Sequence, residues 1–332
     1  MAETKAERFR VLILDDYEGL AEGVSSFGEL KTRAEVTVSR SKLATDNDLA
    51  RALQGVHAVL LMRERTRFGE RQLSMASELK LISQTGKVMP HLDVPAATRR
   101  GVAIAVTFND SGISTVELTI ALIFALLRRI PQIDRRMRHE AWPAIPGQLL
   151  EGKTLGLIGF GRIGKKVAAI GRVFNARVLA NSRTLTEEKA SEAGVIRASL
   201  QSLLAESDIV SIHVPLNSQT RGLLGERELS LMKPGALLVN TARGPIVSEA
   251  ALIQALERGH LGGVGLDVYD EEPLPIDHPL RRFDNAVLLP HRGYATVEVL
   301  RERYERAIAN ILSFIEGKPA NLVNPEALAQ AK

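Results

Sequence analysis

The segment Leu155-Gly-Leu-Ile-Gly159-Phe160-Gly161-Arg162-Ile163-Gly164 constrains this chain more than any other. A short apolar run ends in glycines spaced G-x-G-x-x-G. Apolar residues then recur at Ile163, Val167, Ile170 and Phe174, the interval of one helix face. Glycine triplets of this kind arise in many loops, so the flanking strand and helix decide the reading. Together they predict the first βαβ unit of a dinucleotide-binding sheet. Gly159 takes the tight turn, Gly161 lets the backbone approach a pyrophosphate, and Gly164 permits close packing of helix on strand. The unpaired N–H groups of the helix start, at Arg162 and Ile163, would face the phosphates.

On both sides of this turn, short apolar runs alternate with helical segments. Before it come Val11–Leu14, Ala58–Leu61, Leu79–Ile82 and Val102–Val106. After it come Arg177–Ala180, Ile209–Val214, Ala236–Val239, Val264–Asp267 and Ala286–Leu289. Runs of this length separated by helices predict parallel α/β sheets. A buried helix is expected over about Ser114 to Arg129, limited by Pro131, with the polar, Pro-rich Trp142–Gly147 stretch following it. The 332 residues, 45% hydrophobic, suffice for about two such domains in series.

Several function classes fall away. The chain has no cysteine, which excludes disulfides, thiolate metal sites and a cysteine nucleophile, and no metal site is expected. The net charge of +4 is small and no Lys/Arg block with interleaved aromatics occurs, so no nucleic-acid partner is expected. The longest apolar run, Leu118–Leu127, falls short of the roughly 18 residues of a membrane span. The N-terminus is charged and of mixed sign, without a secretory core, so the expected location is cytoplasmic.

An NAD-selective site places an acidic residue about 20 residues beyond the glycine turn, where it accepts hydrogen bonds from the ribose hydroxyls. Here the segment reads Ala180-Asn-Ser-Arg-Thr184. A carboxylate would repel a 2′-phosphate, whereas Ser182, Arg183 and Thr184 offer hydroxyls and a guanidinium that could hold one. NADP(H) is therefore the favoured dinucleotide, with NAD(H) the alternative.

Three further segments bring polar residues to strand ends, where α/β sheets build their sites. They are Val239-Asn-Thr-Ala-Arg243-Gly, Gly265-Leu-Asp267-Val-Tyr-Asp-Glu-Glu272-Pro and Leu289-Pro-His291-Arg-Gly-Tyr-Ala-Thr296. With the glycine turn, these segments resemble the D-isomer-specific 2-hydroxyacid dehydrogenase family, whose patterns include N-T-A-R-G, L-D-V-x-x-x-E-P and P-H-x-G-x-x-T. The resemblance runs from Arg63-Glu-Arg-Thr66 to the C-terminal helix, and it implies an enzyme with Arg243, Glu272 and His291 as its catalytic trio. Hydride transfer at C2 of a hydroxy acid leaves a hydroxyl proton to be moved, and a histidine, titrating near neutrality, can move it in either direction. His291 would be the acid/base and Glu272 would orient its ring. Arg243 would bind the carboxylate and polarise the carbonyl. His213, also at a strand end, is the rival base, although the resemblance places it beside the cofactor.

The same resemblance assigns Asp267 to the nicotinamide carboxamide. It also makes Ser83–Asp93 a substrate loop, with the backbone N–H groups of Lys87 and Val88 taking the carboxylate and Arg63 or Arg65 near the distal end of the substrate. Where many relatives read G-x-G-x-x-x-I-D, this loop has Lys87, Met89 and Pro90 in the variable part, which leaves the choice of acid open. The fold implied is a pair of Rossmann-like or flavodoxin-like parallel-sheet domains with a cleft between them. Residues 1–107 with 291–332 would form the substrate domain, and 108–290 the dinucleotide domain. A homodimer acting on a small 2-keto or 2-hydroxy acid is expected. The competing reading is a dinucleotide-sensing, corepressor-like binding protein without turnover.

Overall fold

The computed structural model describes residues 8–87, 89–108, 111–139 and 142–330. The chain splits into two compact units, Met1–Asp110 with Thr296–Lys332, and Ser111–Ala295.

The first unit is built on five parallel strands: β1 (Phe9–Ile13), β2 (Ala34–Val38), β3 (Ala58–Leu61), β4 (Leu81–Gln84) and β5 (Ala103–Val106). Their spatial order is β2-β1-β3-β4-β5. Every residue of β3, β4 and β5 is buried, as expected where helices cover both faces of a parallel sheet. One core layer gathers Leu12, Val59, Leu61, Ile82 and Ile104. The long helix Val297–Ile315 returns to this sheet. Its Ala307 carbonyl accepts from Ser83 Oγ at 2.8 Å, and its Tyr304 hydroxyl donates to Asp16 at 2.9 Å.

The second unit holds seven parallel strands: β6 (Thr154–Ile158), β7 (Arg177–Asn181), β8 (Ile196–Arg197), β9 (Ile209–Ile212), β10 (Ala236–Asn240), β11 (Leu261–Leu266) and β12 (Ala286–Leu288). Their order is β12-β11-β10-β9-β6-β7-β8. The order reverses between β6 and β9, so the carboxyl ends of these two strands flank the switch point where such sheets bind ligands. Gly159 follows β6 there and His213 follows β9.

Both parallel α/β sheets agree with the fold class expected from the apolar runs. Two strands were not anticipated. β2 alternates buried and exposed residues at a sheet edge, and β8 is two exposed residues, so neither carries a continuous apolar run. The expected helix over Ser114–Arg129 is Ile113–Leu127. Pro131 opens a second helix, Ile130–Met137, after Arg129 breaks the first at φ +50°. The return between units falls after Ala295 rather than after Pro290. The backbone N–H groups of His291, Arg292 and Gly293 are all hydrogen-bonded to Asp267, within the second unit. Among the described residues no helix is long and apolar enough to cross a membrane.

Candidate active site

The three glycines of the turn differ in what surrounds them. Gly159 sits at φ +103°, and a Cβ there would lie 2.6 Å from the His213 carbonyl. A Cβ on Gly164 would come 2.3 Å from the Gly159 carbonyl oxygen. Neither position tolerates a side chain without moving backbone. A Cβ on Gly161, by contrast, meets none of the described residues within 4 Å, so among them open space lies over this residue where the helix Arg162–Val173 begins. Its first N–H groups lack intrahelical partners by construction. A closed turn, an open approach and a helix start fit a dinucleotide pyrophosphate.

At the end of β7, Asn181 accepts the Gly159 N–H through its backbone carbonyl at 2.8 Å, and its side-chain amide donates to the Ala198 carbonyl at 2.9 Å. Ser182 is half-buried, and Arg183 and Thr184 are exposed beyond it. The Arg183 guanidinium donates to Gln219 Oε1 at 2.5 Å, which draws it toward the loop after β9. No carboxylate stands at 181–184. His213 lies 3.0 Å from Ser211 Oγ through Nε2, and burial pushes its ring down to about 4. A ring held neutral against the glycine turn suits packing beside a dinucleotide.

The ends of β10, β11 and β12 bring Arg243, Glu272 and His291 together. Glu272 Oε2 is 2.6 Å from His291 Nδ1, and Glu272 Oε1 accepts the Tyr269 N–H at 3.0 Å. Burial alone would raise the Glu272 carboxyl. The hydrogen bond from His291 and its charge, the Tyr269 amide and the charge of Arg243 together hold it below the usual glutamate value. Both side chains keep partial access to solvent, 29% for His291 and 35% for Glu272, so the pair is reachable by a small substrate. His291 adopts φ +53°, a conformation that a non-glycine residue holds only when its surroundings impose it.

Asp267 supplies much of that imposition. Its backbone carbonyl accepts the His291 N–H at 2.9 Å, and its buried carboxylate accepts Arg292 N–H at 2.6 Å and Gly293 N–H at 2.7 Å. Burial raises this carboxyl, against the lowering pull of the two amides. The Gly293 carbonyl in turn accepts from Ser114 Oγ at 2.5 Å and Thr115 Oγ1 at 2.9 Å, at the start of the helix Ile113–Leu127. Asp267 thus clamps the histidine loop, a role that its placement at a strand end alone did not reveal.

Three residues assigned no role from the sequence position the others. Asn240, buried, donates to the Arg243 carbonyl at 2.9 Å and accepts from Ala242 N at 3.0 Å, closing the Arg243 turn. A Cβ on Gly244 would fall 2.0 Å from the Tyr269 carbonyl carbon, so only glycine lets this turn lie against the segment before Glu272. The Tyr269 hydroxyl is shared between the Leu266 and Leu289 carbonyls at 3.2 and 3.0 Å, tying the end of β11 to the segment preceding His291. Burial pushes that phenol up to about 12. The Asn of N-T-A-R-G and the Tyr of L-D-V-Y were the available signals.

In the first unit Arg63 stands at φ +56°, and its guanidinium lies over Gly86, where a Cβ would be 2.4 Å from Nη1. Gly86 N donates to Thr107 Oγ1 at 2.8 Å, and the Lys87 ammonium rests 4.8 Å from the centre of the Phe108 ring. Arg65 is engaged otherwise. It forms a two-pronged pair with Glu18 at 2.9 and 2.8 Å, donates to the Asp15 carbonyl and stacks on Tyr17. Of the two arginines, Arg63 is the one beside the loop. Val88 lies outside the described residues.

Comparison with known proteins places these features in a family. Residues 120–293 match the family described as "D-isomer specific 2-hydroxyacid dehydrogenase, NAD binding domain". A glyoxylate reductase of Aeropyrum pernix is 43% identical over 264 residues, covering 76% of this chain and 79% of that protein. A D-3-phosphoglycerate dehydrogenase of Bacillus subtilis is 37% identical over 78% of this chain but only 50% of its own length. The crystal structure of a phosphoglycerate oxidoreductase from Vibrio cholerae superposes with a TM-score of 0.86 at 33% identity, covering 93% of this chain and 99% of that one. This chain belongs to the D-isomer-specific 2-hydroxyacid dehydrogenase family, oxidoreductases that act on a CH–OH group with a nicotinamide cofactor.

Proposed function

We propose that the protein reduces a small 2-keto acid, and in reverse oxidises the D-2-hydroxy acid, with NADP(H) as preferred dinucleotide. The observation that carries this reading is the 2.6 Å contact between His291 Nδ1 and Glu272, with the charge of Arg243 acting on the same carboxylate. When bound, the nicotinamide supplies the hydride to C2 of the keto acid. Glu272 holds His291 through Nδ1 and so directs Nε2 outward. Nε2–H donates its proton to the developing alkoxide in reduction, and Nε2 takes it back in oxidation. Arg243 pairs with the substrate carboxylate and polarises the carbonyl oxygen. Lys87, Val88 and Arg63 bind the rest of the substrate.

The dinucleotide is held by Gly159, Gly161, Arg162, Ile163 and Gly164, with His213 packed behind the turn. Ser182, Arg183 and Thr184 take a 2′-phosphate, a reading supported by the absence of a carboxylate in that segment and by the Arg183–Gln219 contact. Asp267 acts chiefly by fixing the loop that carries His291. A built proton-transfer pair favours an enzyme over a binding protein without turnover. The glyoxylate reductases among the relatives make glyoxylate the first substrate to try, followed by hydroxypyruvate and phosphohydroxypyruvate. The test is oxidation of NADPH and NADH against that panel. Turnover of at least one acid, faster with NADPH, is expected, and tight dinucleotide binding with no turnover on any 2-keto acid would refute the reading.

A further inference from the structure

A buried polar relay lies under Arg63, formed by residues of the Ser83–Asp93 segment that have been given no role of their own so far. The Gln84 side-chain amide donates both hydrogens, to the Arg63 carbonyl at 3.1 Å and the Thr85 carbonyl at 3.0 Å. Its Oε1 can then only accept, so the nitrogen facing it at 3.2 Å, His91 Nε2, carries a hydrogen. That leaves His91 Nδ1 as a bare lone pair, and this buried atom has no hydrogen-bond partner among the described residues. His91 is only 8% exposed, and its carbonyl is anchored by the Phe68 N–H at 2.9 Å. From the other side, Thr85 Oγ1 accepts the Arg63 N–H at 2.7 Å. The backbone of Arg63 is therefore gripped at its C=O by Gln84, the last residue of β4, and at its N–H by Thr85, the one that follows it.

Such an arrangement costs stability. A left-handed arginine and an orphaned imidazole nitrogen each disfavour the folded state. Packing alone would be better served by an apolar side chain in place of His91. What the relay achieves is placement: at φ +56° Arg63 carries its guanidinium across Gly86, onto the loop that follows β4. We infer that His91 and Gln84 are positioning residues that act through Arg63 and thereby determine which 2-keto acids the enzyme accepts. This inference rests on the proposed role of Arg63 in binding substrate.

The test is a mutant cycle on the full-length protein, with KM and kcat for glyoxylate and hydroxypyruvate and the dissociation constant of NADPH measured in each variant. Gln84→Leu and His91→Leu are each expected to raise KM for the better acid about tenfold, with kcat and NADPH affinity within about twofold. His91→Gln, whose Nε2 can still donate to Gln84, is expected to restore KM. In an Arg63→Ala background, Gln84→Leu is expected to add less than about twofold, because its target is gone. An equal effect of Gln84→Leu with and without Arg63, or failure of His91→Gln to restore KM while its melting temperature is normal, overturns the relay alone. Unchanged KM in Arg63→Ala for every acid overturns both the relay and the substrate role of Arg63.

Discussion

Gly161 and Gly164 allow folding and dinucleotide binding to be separated by single methyl groups. Gly161 has φ −84° and ψ −157°, which alanine adopts readily, and its Cβ would project into open space. Alanine is a poorer helix cap than glycine by several tenths of a kcal/mol, and restricting the unfolded chain returns about 0.4–1 kcal/mol. The net change for Gly161→Ala is therefore within about 1 kcal/mol of zero. For Gly164→Ala the added carbon would meet the Gly159 carbonyl oxygen at 2.3 Å, inside backbone that cannot yield without shifting the turn. Overpacking of that kind costs about 1–3 kcal/mol. If a pyrophosphate approaches over Gly161, the harmless methyl there occupies its path, and affinity for NADPH should fall at least about tenfold, or 1.4 kcal/mol. Denaturant melts paired with fluorescence titration of NADPH read both quantities. Gly161→Ala should unfold like the parent and bind weakly, whereas Gly164→Ala should unfold earlier. A Gly161→Ala protein that binds NADPH as tightly as the parent would refute the placement of the pyrophosphate.

Other consequences are equally direct. Arg183→Ala should lower kcat/KM with NADPH by about tenfold or more while changing that with NADH less than about threefold, a charged contact to phosphate being the interaction removed; a ratio unaltered by the substitution sinks the NADP(H) assignment. Because burial holds His213 at about 4 against an ordinary 6.5, the unfolded chain binds the additional proton between those values, and stability falls as pH drops through that window. That difference corresponds to about 3 kcal/mol, so His213→Gln should flatten that part of the stability–pH curve, and an unchanged slope would count against a buried neutral ring. Tyr269→Phe, which strips a donor from the Leu266 and Leu289 carbonyls, should destabilise by about 1 kcal/mol and slow turnover more than it weakens NADPH binding. Equal losses in both would mean the tie matters only to folding.

The elements legible in the sequence were those with a continuous apolar run or a conformational requirement. β3 was located to the residue because Ala58–Leu61 is buried throughout, and the strand leading into Gly159 because its glycines demand that turn. β2 escaped because an edge strand shows water on one face, and its Ala-Glu-Val-Thr-Val alternation reads like loop. Pro131 reads as a stop in the sequence because a proline breaks a helix from inside, whereas at the first turn it is well tolerated, and only the backbone of Arg129 distinguishes the two. In the site, it was the resemblance to the family's N-T-A-R-G, L-D-V-x-x-x-E-P and P-H-x-G-x-x-T patterns that pointed to Arg243, Glu272 and His291, side chains able to bind a carboxylate or move a proton. The residues that hold them stand within the same motifs, but their positioning role does not show in the sequence. Asp267 and Tyr269 act through backbone groups 20 or more residues away, Asn240 closes a turn within its own segment, and a contact of Asp267 with Gly293 leaves no mark in either residue's neighbourhood.

The most direct test of the proton-transfer pair is single-turnover reduction of the best 2-keto acid by the parent, His291→Ala and Glu272→Gln, with NADPH affinity measured alongside. Loss of His291 should slow the hydride step by about 10²–10⁴-fold, and loss of the Glu272 charge should slow it less, with NADPH binding within about twofold in both. A His291→Ala protein that reduces the acid at the parent's rate would contradict the assignment.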